Sequence, residues 1–393
     1  MFYNRNIDFK TRDGLFTHLQ ADPTTRRLVS TSMERASGIL MPISSLPGPY
    51  GIGGFGWNAY DFVDFLVSCK QHYWQILPLT TTSYGDSPYQ SFSARAGNPN
   101  FIDFAELIEA GYLEQRDIDG VYLGSDPNNV DYGAIFSGRR QILDRAAERF
   151  ASNKPADFDD FVQTNEDWLI PYCEFMTVKE ECGLKAFWEW PAELRTRGEA
   201  SAKVCAAERF AADKPADFDD FIQANEDWLI PYCEFMTVKE ECGLKAFWEW
   251  PAELRTRGEA SAKVCAAHPA RMLYHQMTQY FFDRQWSRLK AYANERDILI
   301  IGDLPIYVSR DSVEMWASPE LFKIDADGNP VSVAGTPPDQ FSATGQYWGN
   351  PIYDWDAMEA DGFSWWEGRI HAALNMYDVI RLDHFRGFEA YWE

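Results

Sequence analysis

The chain of 393 residues carries 36 Lys and Arg against 60 Asp and Glu, and 16% of its residues are aromatic. This composition is typical of a globular protein and excludes disorder, collagen-like repeats and coiled coils. The formal net charge of -24 disfavours binding to nucleic acid or to an anionic membrane, so we expect a neutral or cationic ligand.

Short buried strands that alternate with helices are predicted along the chain. The strands are predicted at residues 38–43, 73–79, 298–301 and 378–382. Helices are predicted over 59–70, 270–294 and 355–376, with a long helical region over 134–267 and a small hairpin at Asp327-Gly328. Strands separated by helices form parallel sheets that are covered on both faces. The predicted fold class is therefore α/β, either a doubly wound sheet or a barrel with loop insertions.

An internal repeat occupies the helical region. Residues 148–207 recur at 208–267 with four differences. Solenoids generally need three or more diverged units, so near-identity over two copies indicates a duplication rather than a repeat architecture. We expect the second copy to be dispensable.

No segment of the sequence predicts a membrane anchor or an exported protein. Apolar runs stay short of the roughly 18 to 20 residues that a membrane helix needs, and the N-terminus has no hydrophobic signal core. The seven cysteines show no C-x-x-C spacing. We expect a soluble cytoplasmic protein.

Two motifs that suggest cofactors or metals are better explained as turns. The glycines of 51–56 match G-x-G-x-x-G, but prolines lengthen the preceding turn and no acid follows at the expected distance. Residues 325–328 suggest a calcium loop but lack the required Gly and Glu in register. The six histidines form no cluster, so we expect neither a metal site nor a cofactor.

Two carboxylates follow predicted strands directly. Asp303 comes after the third strand and Asp383 after the fourth, and α/β active sites gather at the carboxyl ends of parallel strands. Arg381 and His384 flank Asp383 and would keep it ionised, as a nucleophile requires. Capping of the next loop, or a buried structural ion pair, is the alternative interpretation.

Two loops mix aromatic rings with short polar side chains. They span residues 84–93 and 345–351. Because sugars present apolar faces edged with hydroxyls, these loops predict a carbohydrate groove. Ordinary core aromatics in loops are the alternative.

Together with residues 45–53, 73–79, 302–308 and 381–393, these segments resemble the 4-alpha-glucanotransferases, also called amylomaltases or disproportionating enzymes, of glycoside hydrolase family 77. The resemblance runs from about Gly38 to Glu393, interrupted only by the extra repeat copy. It implies a (β/α)8 TIM barrel with helical insertions, of which the predicted strands would be about the first four.

The resemblance also assigns roles to individual residues. It implies that Asp383 is the nucleophile and that Arg381 orients it. It places the substrate, an alpha-1,4-glucan or maltooligosaccharide, against residues of several segments: Tyr84, Ser87, Tyr89, Asp303, Asp339, Trp348 and His384. Trp348 would border the acceptor side, Tyr84 would serve secondary glucan binding, and residues 336–342, which include Asp339, would form a loop that closes over the glucan.

A retaining glycosidase needs a second carboxyl group about 5 to 5.5 Å from its nucleophile. The resemblance puts the acid/base Glu and a further Asp downstream of Glu393. We therefore expect this chain to be a fragment of a longer enzyme, inactive alone, with an unpaired sheet edge and poor solubility.

The resemblance and the predicted elements together divide the chain into six regions. These are an N-terminal extension (1–35), the first two barrel strands (36–89), an inserted helical subdomain with both repeat copies (90–267), a barrel helix with the third strand (268–308), an insertion with the active-site loop (309–350) and a barrel helix with the fourth strand (351–393).

Two further functions remain open from sequence. An alpha-amylase-type hydrolase would give only shorter sugars from maltotriose, whereas a transferase would give a ladder of longer ones. A non-catalytic glucan-binding protein, or a decayed enzyme, would keep Tyr89 and Trp348 and bind maltooligosaccharides without turnover.

Overall fold

A computed structural model describes most of the chain outside the repeat. The described residues are 35–153 without 84, 155, 158–181, 234–239, 242, 247, 250–251, 254–255, and 259–388 without 327, 339 and 341. The predicted N-terminal extension lies outside them, apart from its last residue.

The elements follow one another in a mixed α/β order. The strands are β1 (Gly38–Leu40), β2 (Tyr73–Gln75), β3 (Leu299–Leu304), β4 (Val333–Thr336), β5 (Gln346–Pro351) and β6 (Val379–Leu382). The helices are α1 (Trp57–Ser68), α2 (Phe104–Glu109), α3 (Gln115–Ile118), α4 (Tyr132–Ser152), α5 (Phe158–Thr164), α6 (Glu166–Glu181), α7 (Glu259–Ala267), α8 (Pro269–Asn294), α9 (Val313–Ala317), α10 (Trp355–Ala360) and α11 (Ser364–Met376). Short 3-10 turns lie at Ile43–Ser45, Pro99–Phe101, Pro319–Leu321 and Phe385–Phe388.

The strands predicted from buried apolar runs form one parallel sheet. Its order is β1-β2-β3-β6. Ile39 pairs with Trp74, Trp74 pairs with Ile300, and Asp303 pairs with Arg381. The prediction of four parallel strands joined by helical connections is confirmed. All carboxyl ends of these strands lie at one edge of the sheet, which positions the candidate site.

The two faces of this sheet differ in burial because side chains alternate along each strand. Trp74, Ile300 and Leu304 point to the face that packs against helices and are buried. Leu40 and Leu299 share the opposite face with Asp303 and are 54% and 38% exposed. The face that carries Asp303 is thus the more open one among the described residues.

Helix α8 is the main support of the covered face. It contacts α1, β3 and α4, and its Trp286 indole donates to the carbonyl of Met376 at 3.0 Å. Aromatic rings extend this core into the insertion, since Phe281 lies 5.6 Å from Phe150 and Tyr280 lies 5.1 Å from Phe158. The helical structure predicted over 134–267 is confirmed where α4 to α7 lie.

The helix predicted over 355–376 is wrong in one respect, because it consists of two helices. Between α10 and α11, Gly362 has φ of 75° and Phe363 has φ of 62°. Two successive left-handed residues cannot continue a right-handed helix, so the chain turns there. An apolar period that runs through both helices hides this break in the sequence.

The two turn interpretations hold in the structure. Residues 51–56 form a close-packed loop, in which a Cβ at Gly53 would lie 2.0 Å from the carbonyl oxygen of Ile43. Ile324 and Pro330 pair across a turn in which the Gly328 amide donates to Asp325, although Asp327 itself lies outside the described residues. Among the helices that the structure describes, none is both long and apolar enough to cross a membrane.

Candidate active site

Strand register creates the centre of the site. Asp303 and Arg381 are paired residues of adjacent parallel strands, so their side chains leave the sheet on the same face. Asp383 lies two residues beyond Arg381, and its backbone amide continues the pairing by donating to the carbonyl of Leu304 at 3.0 Å. Because side chains alternate between the two faces of a strand, the carboxylates of Asp303 and Asp383 lie on either side of the Arg381 guanidinium.

The guanidinium of Arg381 binds both carboxylates. Its Nη1 donates to Oδ2 of Asp303 and its Nη2 donates to Oδ1 of Asp383, each at 2.6 Å. The hydroxyl of Tyr89 also donates to Oδ2 of Asp303, at 2.6 Å. A continuous hydrogen-bonded run from Tyr89 to Asp383 results, and we call these four residues the carboxylate network.

The members of the carboxylate network differ strongly in burial. The side chain of Asp303 is 1% exposed, whereas those of Asp383 and Arg381 are 34% and 45% exposed. Burial raises the pKa of the Asp303 carboxyl, while the hydrogen bond from Tyr89 and the charge of Arg381 oppose this shift. Burial, followed by the hydrogen bond to Asp303, raises the pKa of the Tyr89 hydroxyl, so that this hydroxyl stays protonated and donates.

One oxygen of Asp303 has no partner within the described part of the chain. Oδ2 accepts from both Tyr89 and Arg381, but the buried Oδ1 accepts no hydrogen bond. Buried polar atoms are nearly always paired, so an unpaired carboxylate oxygen in an open site indicates a ligand that donates to it.

The loop after β2 is held so that Tyr89 reaches Asp303. The hydroxyl of Ser87 accepts from the Tyr89 amide at 3.3 Å, which closes a local turn. The next side chain, Gln90, donates to the Trp348 carbonyl at 3.4 Å and to the Asn350 side chain at 3.3 Å. Asn350 is buried and donates to the Val308 carbonyl at 2.7 Å. These bonds connect both predicted aromatic loops to the segment that follows β3.

A left-handed turn directs the residue after Asp383 toward the aromatic loop. His384 has φ of 47°, a conformation that a non-glycine residue adopts at a cost. Its ring lies edge-to-face with the Trp348 ring, 4.9 Å between centroids, and 6.5 Å from Tyr307. Burial lowers the pKa of His384, which favours the neutral ring.

The structure gathers most of the predicted site residues. Ser87, Tyr89, Asp303, Trp348, Arg381, Asp383 and His384 lie in this one region. Tyr84 and Asp339 lie outside the described residues, so their predicted placement is untested. No group of three or more His, Cys, Asp or Glu side chains suited to a metal ion occurs in the described ranges.

Three supporting residues were absent from the predicted site: Gln90, Asn350 and Tyr307. Gln90 and Asn350 stand inside the two aromatic loops, and their complementary amides were the available signal. Tyr307 offered none, because its approach to His384 depends on the distance between two strands.

Sequence comparison identifies the family. The family model described as 4-alpha-glucanotransferase matches residues 41–212 and 200–393 of the chain. This chain belongs to the 4-alpha-glucanotransferase family. The two matched stretches overlap at residues 200–212, where the first repeat copy (148–207) passes into the second (208–267).

Curated 4-alpha-glucanotransferases from distant organisms are similar to the chain. The protein from Streptococcus pneumoniae is 48% identical over 362 residues, which cover 92% of this chain and 60% of that protein. The Thermus thermophilus protein is 40% identical with the same coverage. The chloroplastic/amyloplastic protein of Solanum tuberosum is 32% identical and is covered to 53%. The chain thus spans about three fifths of the length of its bacterial relatives in this family.

Solved structures agree with the family. An amylomaltase from Streptococcus agalactiae, determined in complex with acarbose, superposes with a TM-score of 0.72 at 43% identity, covering 91% of this chain and 61% of that one. The amylomaltase of Corynebacterium glutamicum superposes with a TM-score of 0.56 at 16% identity, covering 96% of this chain and 42% of that one, and supports the fold alone.

Proposed function

We propose that this chain carries the nucleophile and donor-binding side of a 4-alpha-glucanotransferase, which transfers a segment of an alpha-1,4-glucan to the 4-hydroxyl of glucose or another glucan. The observation that carries the proposal is the carboxylate network, a buried carboxylate and an accessible one joined through Arg381. Membership of the family supports the choice of substrate.

Each side chain of the carboxylate network suits one step of a retaining mechanism. Asp383 is one-third exposed and would attack the anomeric carbon, forming a covalent glycosyl-enzyme as the leaving oxygen departs. Arg381 would hold Asp383 in orientation through the hydrogen bond that its Nη2 donates to Oδ1 at 2.6 Å. The sugar 4-hydroxyl would then attack the same carbon and release Asp383.

Asp303 and Tyr89 would bind the donor sugar rather than react with it. The unpaired Oδ1 of Asp303 is a natural acceptor for a sugar hydroxyl. Tyr89 fixes the other oxygen of that carboxylate, while Ser87 shapes the loop. The neutral His384 would supply a further polar contact to the sugar.

The aromatic side of the site would select a sugar acceptor over water. Trp348 offers a ring platform beside His384, and Tyr84 and Asp339 would add a secondary glucan contact and a loop contact. An apolar wall that favours sugar at the glycosyl-enzyme stage raises transfer relative to hydrolysis.

The remaining chemical requirement is the acid/base carboxyl, which would protonate the leaving oxygen in the first step and take the proton of the attacking 4-hydroxyl in the second. By resemblance it lies in the part of the relatives that this chain does not match, so we propose that the chain alone binds glucans and does not turn them over. For the same reason we propose that the sheet is the first half of a TIM barrel, with the six-region organisation given above. A cytoplasmic location fits these substrates.

Incubation of maltotriose with a catalytically complete protein, in which this chain is joined to the unmatched part of a relative, tests the function. A ladder of longer oligomers would show transfer, and only shorter sugars would show an alpha-amylase-type hydrolase. Binding by calorimetry without turnover is the expected result for the chain alone. Absence of binding to maltooligosaccharides, in a chain shown to be folded, would refute the proposal.

The nucleophile is tested in a catalytically complete protein, made by joining this chain to the unmatched part of the Streptococcus pneumoniae relative. Asp383→Asn should abolish transfer in that protein while sugar binding persists. Asp378→Asn, in the residue just before β6, serves as the matched control and should leave transfer measurable. Unimpaired turnover in Asp383→Asn would refute the nucleophile assignment.

A further inference from the structure

The segment 85–97 brings Tyr89 into the candidate active site, and we call it the Tyr89 loop. It lies between β2 and α2 and is built of turns and bends. Turns lack the regular backbone hydrogen bonds of a helix or a sheet, so other groups must fix the path of this segment. The position of the Tyr89 hydroxyl therefore depends on what holds the loop.

The start of helix α9 holds the Tyr89 loop through a buried carboxylate. Oε1 of Glu314 accepts from the Ala94 amide at 2.7 Å and from the Ser93 hydroxyl at 3.3 Å. The neighbouring Val313 amide donates to the Phe92 carbonyl at 2.8 Å. The first turn of α9 thus binds three successive residues of the loop.

These bonds differ from ordinary helix capping. An acidic side chain in the first turn of a helix usually interacts with the amides of its own helix. In α9 the Ser312 hydroxyl already accepts from the Met315 amide, at 3.4 Å. Oε1 of Glu314 instead accepts from Ala94, which lies 220 residues away in sequence, and the residue is only 8% exposed. Because a buried carboxylate is costly unless it is hydrogen-bonded, this contact indicates that Glu314 holds the loop.

Hydrogen bonds around Ser93 connect Glu314 to Tyr89. The Ser93 hydroxyl accepts from the amides of Arg95 and Ala96, each at 3.1 Å. The Ser91 hydroxyl donates to the Ser93 carbonyl at 2.6 Å. Residues 91–96 are therefore fixed relative to one another, and Ser91 lies two residues from Tyr89. A shift at Ser93 would move the Tyr89 hydroxyl.

We propose that Glu314 is a positioning residue for donor binding, which holds the Tyr89 loop so that the Tyr89 hydroxyl reaches Asp303. The inference rests on the proposed function for the role of Tyr89. Glu314 acts through the loop and does not contact the sugar. Because the bond from Tyr89 to Asp303 measures 2.6 Å, a displacement of about 1 Å would break it.

Three substitutions of Glu314, made in this chain, test the inference by calorimetry with maltotriose. Glu314→Ala removes the acceptor and should weaken binding about ten-fold, the usual effect of losing one hydrogen bond to a charged group. Glu314→Asp draws the carboxylate back from Ala94 and should also weaken binding, which keeps the test informative if the alanine variant does not fold. Glu314→Gln retains an oxygen that accepts from the Ala94 amide, and its affinity should stay within about two-fold of the unmodified chain.

Leu66→Ala is the matched control for lost stability. Leu66 is a fully buried side chain of α1, and its removal should destabilise the chain without moving the Tyr89 loop. Its maltotriose affinity should equal that of the unmodified chain. The inference is wrong if folded Glu314→Ala and Glu314→Asp bind like the unmodified chain, or if Leu66→Ala weakens binding as much as they do.

A second measurement needs no sugar. The coupling between Tyr89→Phe and Asp303→Asn in unfolding free energy reports the bond between these two residues. This coupling should fall by at least half in Glu314→Ala and should persist in Leu66→Ala. If maltotriose does not bind the unmodified chain but the coupling depends on Glu314, the proposed function fails and the positioning role stands. Unchanged coupling in Glu314→Ala, in a chain that binds maltotriose, would overturn the positioning role alone.

Discussion

The bond between Tyr89 and Asp303 should be a measurable contribution to stability. The Tyr89 hydroxyl donates at 2.6 Å to a carboxylate whose side chain is 1% exposed. Hydrogen bonds to charged groups contribute about 1.5 to 3 kcal/mol. Because the same oxygen also accepts from Arg381 and Tyr89 is only half-buried, we expect the lower part of that range, about 1.5 to 2 kcal/mol.

A double-mutant cycle isolates this energy. Asp303→Asn alone also removes the ion pair with Arg381, so only the coupling between Tyr89→Phe and Asp303→Asn reports the bond. The four proteins would be unfolded in urea at pH 7 and followed by tryptophan fluorescence. A coupling of about 1.5 kcal/mol or more is the expected result.

An exposed pair of the same chemistry serves as the control. The Tyr292 hydroxyl donates to Asp64 at 2.9 Å in solvent. The cycle of Tyr292→Phe with Asp64→Asn should give a much smaller coupling, because water competes for both groups. Equal coupling in the two cycles, or coupling below about 0.5 kcal/mol at Tyr89, would refute the reasoning from burial.

Three further changes test the helix break, a buried carboxyl and the repeat. Gly362→Ala should destabilise the chain by about 1 to 2 kcal/mol, because Gly362 has φ of 75°. Gly368→Ala inside α11 should instead stabilise the chain by roughly 0.5 to 1 kcal/mol. Thermal unfolding measures both variants, and equal effects would contradict a helix break at Gly362. Burial raises the pKa of Glu314, so its neutral form contributes stability that is complete below the unfolded-state pKa and is lost as the pH rises through the folded-state pKa. Glu314→Gln should therefore remove this decline of the unfolding free energy with pH. The control Glu359→Gln, at an exposed position, should retain the decline. Deletion of 208–267 should leave a chain that still unfolds cooperatively and binds maltooligosaccharides with unchanged affinity, and loss of folding would show that the second copy is required.

The sequence predicts the sheet well because each strand is a short apolar run between helices. It also predicts that Asp303 and Asp383 meet, since carboxyl ends of parallel strands share an edge. The sequence does not predict how close these two carboxylates lie to Trp348. That distance depends on how the hairpin of β4 and β5 folds and on the left-handed backbone conformation of His384. Identical repeat copies carry no information about which one occupies a position.

Arg381 makes two properties of the site inseparable. Its guanidinium holds Asp303 with one nitrogen and Asp383 with the other, so a shift of either carboxylate moves the other. A substitution that adapts Asp303 to a different sugar would therefore also disturb the reacting carboxylate. Natural variation in substrate preference is for this reason expected around Trp348, which lies on the separate hairpin of β4 and β5, where changes leave the carboxylate pair in place.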